Sequence, residues 1–175
     1  MKIDAFILGQ EINNHNVSFK ICPTLWFDFN LKKKILPAMQ DWKEIKFLDD
    51  SGIDFNTDIN KLPNNHGGIY VFIIKSDIFP GISEYLSYIG RAKLTKTHNL
   101  RVRLRSYLTS FNNENERPQI SRLIKQFGPH LYLRYIELDN NDIIDYLEAE
   151  LIKSLLPPFN DEIPDKKIRD AIKAF

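Results

Sequence analysis

Glu148 is a carboxylate at a position where the sequence predicts an apolar surface. Residues 142–156 are expected to form a helix, in which each residue turns by about 100°. The predicted buried stripe of this helix consists of Ile144, Leu147, Leu151, Ile152 and Leu155. Glu148 falls inside the stripe, whereas Asp145, Glu150 and Lys153 are expected to project towards its flank or the opposite face. Three explanations would account for a carboxylate that has lost its hydration here: Glu148 is part of a buried ion pair, it binds a metal ion, or it is a catalytic carboxylate. Helical geometry leaves all three open.

Two tyrosines are predicted to lie on neighbouring strands. The run from Ile69 to Ile74 is β-branched or aromatic at every position, which is typical of a strand buried on both faces. Tyr70 belongs to this strand, and a second strand that begins near Leu86 contains Tyr88. Antiparallel pairing of the two strands would bring both phenols to one region of a sheet. Tyrosine also packs well in strands, so the pattern alone favours core positions for both side chains.

Further helices and a third strand are predicted around this pair. Asn99 can cap a helix whose apolar stripe includes Tyr107, and Arg103 borders that stripe. The remaining predicted elements are a helix from Pro118 that Gly128 ends, a strand from His130 to Leu138 and a terminal helix from Asp165 to Phe175. The order of strands and helices predicts a mixed fold.

The first 61 residues are rich in aromatic side chains and contain no recognisable motif. Their turn signals predict a strand, a turn and a second strand, followed by a helix around Leu31 to Trp42. We expect this segment to be an extension that recognises a substrate or packs beside a main domain of residues 62–175.

Charge is segregated along the chain although the 175 residues have a formal net charge of only +1. Residues 91–128 contain nine Lys and Arg against two Glu, a local charge of +7, and residues 137–150 contain six acids and no base. A basic helix is usually a solvated face, but tyrosines and Glu148 accompany this one. The combination favours an electrostatic path for phosphate groups towards a metal site.

Composition and motifs exclude several other classes of protein. Cys22 is the single cysteine, so an internal disulfide and a multi-cysteine metal site are excluded. The four histidines form no HxxxH or HExxH pair, which argues against a helical zinc site. The first residues lack the features of a secretory signal, and the longest apolar run is too short to span a bilayer. The sequence therefore predicts a cytoplasmic, soluble protein with no membrane partner.

Two tripeptides, Gly68-Ile69-Tyr70 and Tyr88-Ile89-Gly90, resemble the paired signature of the GIY-YIG nuclease superfamily. Later segments follow in the order of that family. The stretch from Leu100 to Tyr107 is similar to the family's helix with an invariant arginine, which places that role on Arg103. The loop of residues 75–87 and the link of residues 90–100 are longer than is usual in the family, and both insertions fall in loops, where length is tolerated.

The C-terminal part of the resemblance includes Glu148. The stretch from Leu147 to Lys153 is similar to the family's helix with a metal-binding glutamate, and Pro157-Pro158-Phe159-Asn160 is similar to its terminal asparagine motif. The resemblance thus assigns a metal to the residue that helical geometry had isolated. It covers roughly residues 62–161.

The resemblance implies an α+β fold with a small three-stranded, mainly antiparallel sheet flanked by helices and preceded by the N-terminal extension. It also implies a metal-dependent endonuclease that hydrolyses phosphodiester bonds. DNA is the expected substrate and RNA the alternative, and the enzyme would be either restriction-like or a repair or structure-specific nuclease. A nucleic-acid-binding module with the same fold but no activity is the competing interpretation.

The implied chemistry distributes roles among particular residues. One glutamate suits Mg²⁺, or Mn²⁺ in its place, because Mg²⁺ keeps several of its waters. A phenol has a pKa of about 10 and must be acidified before it can activate water, and the sequence does not decide which tyrosine does so. The expected catalytic residues are Tyr70, Tyr88, Arg103 and Glu148, with Glu148 on the metal; Arg91, Tyr107 and Asn160 support them; Arg91, Lys93, Arg101 and Arg105 bind nucleic acid. Arg91 has an equal alternative as a cap of its strand, Tyr107 as a packing residue, and Asn160 is expected to order the site rather than react.

Overall fold

The computed structural model describes residues 4–32 and 42–174. Its centre is an antiparallel sheet of four strands in the order β1-β4-β2-β3. The strands are β1, Lys43–Lys46; β2, Gly67–Lys75; β3, Glu84–Ala92; and β4, Leu131–Leu138. The predicted pairing of β2 with β3 is confirmed, with Tyr70 opposite Gly90 and Phe72 opposite Tyr88. β3 lies at one edge of the sheet, which leaves one side of this strand open to other elements.

The expectation of three strands was wrong, because β1 adds a fourth strand from within the N-terminal extension. β1 has only four residues, three of them charged, so it lacks the apolar alternation that predicts a strand. Ion pairs instead attach it to the sheet: Glu44 accepts from Lys75 at 2.8 Å and from Arg134 at 2.7 Å. Charged side chains on a short edge strand also discourage pairing with other chains.

Helices cover both faces of the sheet. They are α3, Leu100–Asn112; α4, Pro118–Phe127; and α5, Asn141–Leu155. Side chains alternate between the two faces of a strand, so Tyr70 and Phe72 pack on the same side as α3 and α4, whereas Ile69 and Val71 pack against α5. Each face has its own apolar core. The tyrosines and the carboxylate of the predicted site therefore start from opposite faces of one sheet.

These helices begin close to the predicted residues. The Asn99 side chain caps α3 by accepting a hydrogen bond from the amide of Val102 at 2.9 Å. Asn140 caps α5 by accepting from Asp142 at 2.9 Å and from Ile143 at 3.1 Å. Short 3₁₀ helices occupy Thr57–Lys61 and Gly128–His130.

The N-terminal segment is helical where strands were predicted. α1 spans Ala5–Asn14 and α2 spans Pro23–Lys32. Asp4 caps α1 by accepting from the amide of Phe6 at 2.9 Å, and the helix continues through Gly9. Most of the helix predicted around residues 31–42 lies outside the described residues; residues 31 and 32 end α2, and residue 42 is not helical.

α2 packs against α5, and a terminal helix, α6, spans Lys166–Ala174. Phe47, Leu48 and Ile59 of the extension lie in the core beside Tyr70. The extension thus contributes to the sheet and to the core of the site-bearing region. Among the described residues, no helix is long and apolar enough to cross a membrane.

Candidate active site

Three tyrosine hydroxyls form a hydrogen-bonded chain beneath a cleft beside β3. The Tyr70 and Tyr107 oxygens are 2.7 Å apart, and the Tyr107 hydroxyl donates to Tyr88 Oη at 3.2 Å. Because Tyr107 gives its single hydrogen to Tyr88, Tyr70 must be the donor to Tyr107. The chain therefore runs from the fully buried Tyr70 through Tyr107 to Tyr88. Tyr107 is more than a packing residue, since its hydroxyl connects the other two.

Arg103 serves the inner two phenols. Its Nε donates to Tyr70 Oη at 3.2 Å and its Nη2 donates to Tyr107 Oη at 3.1 Å. The guanidinium carbon also lies 4.6 Å from the centre of the Tyr107 ring, which adds a cation–π contact. No hydrogen bond within the described part of the chain uses Nη1 of Arg103, and the residue lines the cleft. The planar fork can thus hold the phenols and still offer a donor to a ligand.

Burial raises the pKa values of the two inner phenols, Tyr70 and Tyr107, and of the Glu148 carboxyl group. Burial raises the pKa of Tyr70 and of Tyr107 well above the usual value of a phenol, and the charge of Arg103 offsets only part of that rise. Both side chains are therefore neutral at physiological pH. Burial also raises the pKa of Glu148, against the opposing influence of Arg91.

Glu148 reaches the cleft from α5 and pairs with Arg91 of β3. Its side chain is 15% exposed, and its Oε2 accepts a hydrogen bond from Nη1 of Arg91. Arg91 also contacts Asp145 at 2.9 Å, and Asp145 in turn binds Lys93 at 2.6 Å. The ion pair with Arg91 thus offsets the lost hydration of Glu148. An ion pair is the first of the three explanations that the helical pattern left open. That pair leaves Oε1 of Glu148 without a hydrogen bond among the described residues.

The donor set fits a hydrated divalent cation that prefers oxygen ligands, such as Mg²⁺ or Mn²⁺. Among the described residues, no three His, Cys, Asp or Glu side chains are grouped closely enough to enclose a metal ion. Mg²⁺ requires few protein ligands, because it retains waters and takes further oxygens from phosphate groups. Three carboxylates line the cleft with the tyrosines and Arg103, namely Glu148, Asp161 and Glu162, and Glu148 is the one to which the sequence motifs assign a metal. We therefore expect Glu148 to hold the ion, with water completing its coordination.

Asn160 fastens the segment after α5 to the open edge of β3. Its side-chain oxygen accepts from the amide of Ile89 at 2.9 Å, and its amide nitrogen donates to the carbonyl of Ile89 at 2.8 Å. The neighbouring Phe159 amide donates to the carbonyl of Ser87 at 3.0 Å. Asn160 therefore closes one wall of the cleft through backbone contacts.

The cleft has a volume of about 630 Å³ and collects side chains from both faces of the sheet. The predicted residues that line it are Tyr70, Tyr88, Arg91, Arg103, Glu148 and Asn160. They converge because β3 is an edge strand: Arg91 and Glu148 approach from the α5 face, and the tyrosines from the other.

Three predicted nucleic-acid-binding residues lie outside this cleft. Lys93 is held by Asp145, as described above. Arg101 donates to the carbonyls of Leu62 at 2.7 Å and Asn60 at 2.9 Å, and Arg105 donates to the side chain of Asn60 at 2.6 Å. Arg101 and Arg105 thus connect α3 to the extension, and their proposed contact with nucleic acid remains a prediction.

Sequence reasoning assigned no role to Arg117, which lines the cleft and donates from Nη2 to Tyr88 Oη at 2.9 Å. Its only sequence signal was membership of the basic stretch, because the contact depends on how α4 packs against the sheet. Asp161, Glu162 and Arg169 also line the cleft and carried no signal at all.

Two positions of α5 differ from the helical prediction. Glu150 is only 7% exposed although it was expected on the flank or the outer face, and Leu155 is 38% exposed although it was placed in the buried stripe. α2 packs on α5 and helps to cover Glu150, whose Oε1 accepts from Lys153 at 2.6 Å. Leu155 is the last residue of the helix.

Gly90 is required by the packing of the two signature tyrosines. A Cβ at this position would lie 2.6 Å from Tyr70 Oη and 2.8 Å from Cε1 of Tyr88. Gly90→Ala should therefore push both rings apart and lower the free energy of unfolding by about 1–3 kcal/mol. Gly9→Ala is the matched control, since nothing lies within 4 Å of that Cβ in α1 and alanine favours helices. Urea denaturation would test the pair, and equal stability of the Gly90→Ala variant and the wild type would contradict this packing.

Comparisons with known proteins gave structural matches only. No family model matches the chain, and no curated protein matches it. Three matching solved structures are point mutants of the GIY-YIG N-terminal endonuclease domain of UvrC from Thermotoga maritima, each bound to its catalytic divalent cation. Two are 27% identical and cover 62% and 61% of this chain and 100% and 99% of that domain; the third is 28% identical and covers 62% and 100%. All three have a TM-score of 0.40.

The resemblance to the GIY-YIG superfamily rests on the ordered motifs of this chain and on the site that they form, not on these matches. The motif residues come from three elements, β2, β3 and α3. The cleft is lined by Tyr70, Tyr88 and Arg103, whereas Gly68 and Gly90 belong to the strands that carry the two tyrosines. The chain thus resembles the GIY-YIG superfamily in the order of its motifs and in the site that these motifs form.

Proposed function

We propose that this protein is a metal-dependent endonuclease that hydrolyses phosphodiester bonds in DNA. One observation carries the proposal: Arg103, Glu148 and the tyrosine chain that ends at Tyr88 meet in a single cleft. A phosphodiester that accepts an attacking water gains negative charge at phosphorus, and hydrolysis therefore needs a cation, a planar donor and a proton acceptor together. The cleft offers a residue for each of these needs.

Arg103 is proposed to bind a non-bridging phosphate oxygen. Two of its nitrogens are fixed by Tyr70 and Tyr107, so the guanidinium is held in place before a ligand arrives. A pre-oriented donor stabilises developing charge more effectively than a mobile one, because it needs no reorganisation during the reaction. Glu148 is proposed to hold Mg²⁺, or Mn²⁺ in its place, and a bound ion there would neutralise charge on the phosphate and the leaving oxygen.

Tyr88 is proposed as the proton acceptor. The raised pKa values of Tyr70 and Tyr107 keep both as neutral donors in the chain. Tyr88 is the end of that chain, and no acceptor for its own hydrogen is present among the described residues. After Tyr88 releases this proton to solvent, its oxygen can take a proton from the attacking water as the new O–P bond forms. The bond from phosphorus to the leaving oxygen then breaks, and solvent protonates the leaving oxygen.

Basic residues near the cleft are proposed to bind the nucleic-acid backbone. Arg91 lines the cleft, and Lys93, Arg101 and Arg105 are proposed to contact phosphates beside it. RNA remains the alternative substrate, because no feature of the cleft distinguishes a 2′-hydroxyl group. Residues 1–61 are proposed to contribute substrate recognition or packing, next to a nuclease domain of residues 62–175.

A cleavage assay with and without metal tests the proposed function. We expect supercoiled plasmid DNA to be nicked or cut in Mg²⁺ or Mn²⁺ and to stay intact in a chelator, because a divalent cation held by Glu148 would be needed to neutralise the phosphate. Branched DNA and single-stranded RNA, run in parallel, identify the preferred substrate, and discrete bands from plasmid would indicate a restriction-like enzyme. Cleavage in the chelator would contradict the metal requirement, whereas binding of all substrates without cleavage would favour the non-catalytic module.

A further inference from the structure

Arg117 is held at the start of α4 by the backbone around it. It occupies the capping position before Pro118, and its carbonyl accepts a hydrogen bond from the amide of Ser121 at 2.9 Å. Its own amide donates to the Glu116 carboxylate at 2.9 Å. Proline fixes the first backbone angle of the helix, so the base of the Arg117 side chain has little freedom.

The guanidinium of Arg117 is directed at Tyr88 rather than at bulk solvent alone. Nη2 donates to Tyr88 Oη at 2.9 Å, and the guanidinium carbon is 5.6 Å from the centre of the Tyr88 ring. Tyr88 is only 4% exposed, whereas the Arg117 side chain is 46% exposed. The contact therefore joins a buried phenol to a cation at the mouth of the cleft.

Each of the three phenols accepts a hydrogen bond from one of two arginines. Arg103 donates to Tyr70 and Tyr107, and Arg117 donates to Tyr88. Among the described residues, Arg117 is the cation that hydrogen-bonds the Tyr88 oxygen. A negative charge on this oxygen would be stabilised by the hydrogen bond from Arg117, by a second hydrogen bond from the neutral Tyr107 hydroxyl and, without a hydrogen bond, by the charge of Arg103.

We propose that Arg117 is a positioning residue that orients the Tyr88 oxygen towards the attacking water and stabilises its deprotonated form. The inference rests on the proposed function, because it concerns the proton acceptor of that reaction. With two of its hydrogen-bonding positions occupied by Arg117 and Tyr107, the Tyr88 oxygen has one position left for the water. Arg117 itself needs no contact with the phosphate in this role.

Arg117→Gln tests the role through the rate rather than through affinity. We expect the single-turnover cleavage rate to fall by about 10- to 100-fold, since the acceptor would lose its charge partner, and the affinity for DNA to change by less than about threefold. The rise of the rate with pH should move to higher pH in this variant, and Arg117→Lys should restore part of the loss. Lys125→Gln, which removes an exposed charge from the same helix, is the control and should keep the wild-type rate.

A double-mutant comparison separates action through Tyr88 from direct action on the substrate. In a Tyr88→Phe background, Arg117→Gln should lower the rate no further, because the atom through which it acts is absent. An equal loss in both backgrounds, or an unchanged rate in the single variant, would overturn the proposal.

A readout that needs no activity distinguishes this failure from failure of the proposed function. The ultraviolet absorbance of tyrosinate, taken as the difference between wild type and Tyr88→Phe, follows the ionisation that depends on the Tyr88 hydroxyl, including its effect on the hydrogen-bonded Tyr107 and Tyr70. Arg117→Gln should displace this difference curve to higher pH even if the wild type cuts no substrate. A curve that does not move would overturn the inference whatever the outcome of the cleavage assay.

Discussion

The Glu148→Gln variant is expected to lose metal-dependent cleavage by about a thousandfold while it keeps its fold and its affinity for DNA. Glutamine has the shape of glutamate but no charge to hold a divalent cation. The fold should tolerate the change, because burial raises the pKa of Glu148 and the folded protein therefore already disfavours the ionised form. Arg91 would keep its contact with Asp145. Plasmid cleavage over a range of Mg²⁺ concentrations, beside urea denaturation, measures both effects.

Asp145→Asn is the matched control for this variant. Asp145 lies on the same helix and contacts the same arginine, but it does not line the cleft. If Glu148 acts by holding a metal, only Glu148→Gln should lose activity. If Glu148 acts merely by fixing Arg91, the two variants should lose activity to a similar extent. Full activity of Glu148→Gln would contradict the metal assignment outright.

The helical pattern predicted the location of Glu148 but not what compensates it. Periodicity depends on neighbours three and four residues away, and these are correct for most of α5. The ion pair with Arg91 joins residues 57 positions apart and depends on how α5 packs across β3. A sequence pattern contains no information on that packing. The same limit explains Arg117, whose contact with Tyr88 spans 29 positions.

The wrong predictions for the exposure of Glu150 and for the number of strands have a different cause. Glu150 is buried because α2, from the poorly patterned N-terminal segment, packs on α5. β1 was missed for a related reason, since ion pairs rather than apolar alternation attach its charged residues to the sheet. By contrast, β2 and β3 were predicted correctly, because buried strands carry their signal in every residue. Local patterns thus identified the elements that make the site, and tertiary contacts determined the elements that complete it.

Arg103→Ala is expected to lower the cleavage rate by about a hundred- to a thousandfold with a smaller effect on DNA affinity. Truncation removes the donors of two phenols as well as the proposed phosphate contact, so the chain from Tyr70 through Tyr107 to Tyr88 would lose its order. Single-turnover rates at saturating DNA, with circular dichroism as a check on folding, measure the effect.

Arg103→Lys shows whether the contribution of Arg103 to the cleavage rate depends on its planar set of donors or on its positive charge. A lysine ammonium keeps the charge but is a single point that cannot donate to Tyr70 and Tyr107 with the geometry of Nε and Nη2. We therefore expect lysine to recover no more than about tenfold of the lost rate. Full recovery by lysine would mean that charge alone matters, whereas an unchanged rate in Arg103→Ala would transfer the phosphate contact to Arg91. Arg101 is a weaker substitute, because the carbonyls of Leu62 and Asn60 already engage its guanidinium outside the cleft.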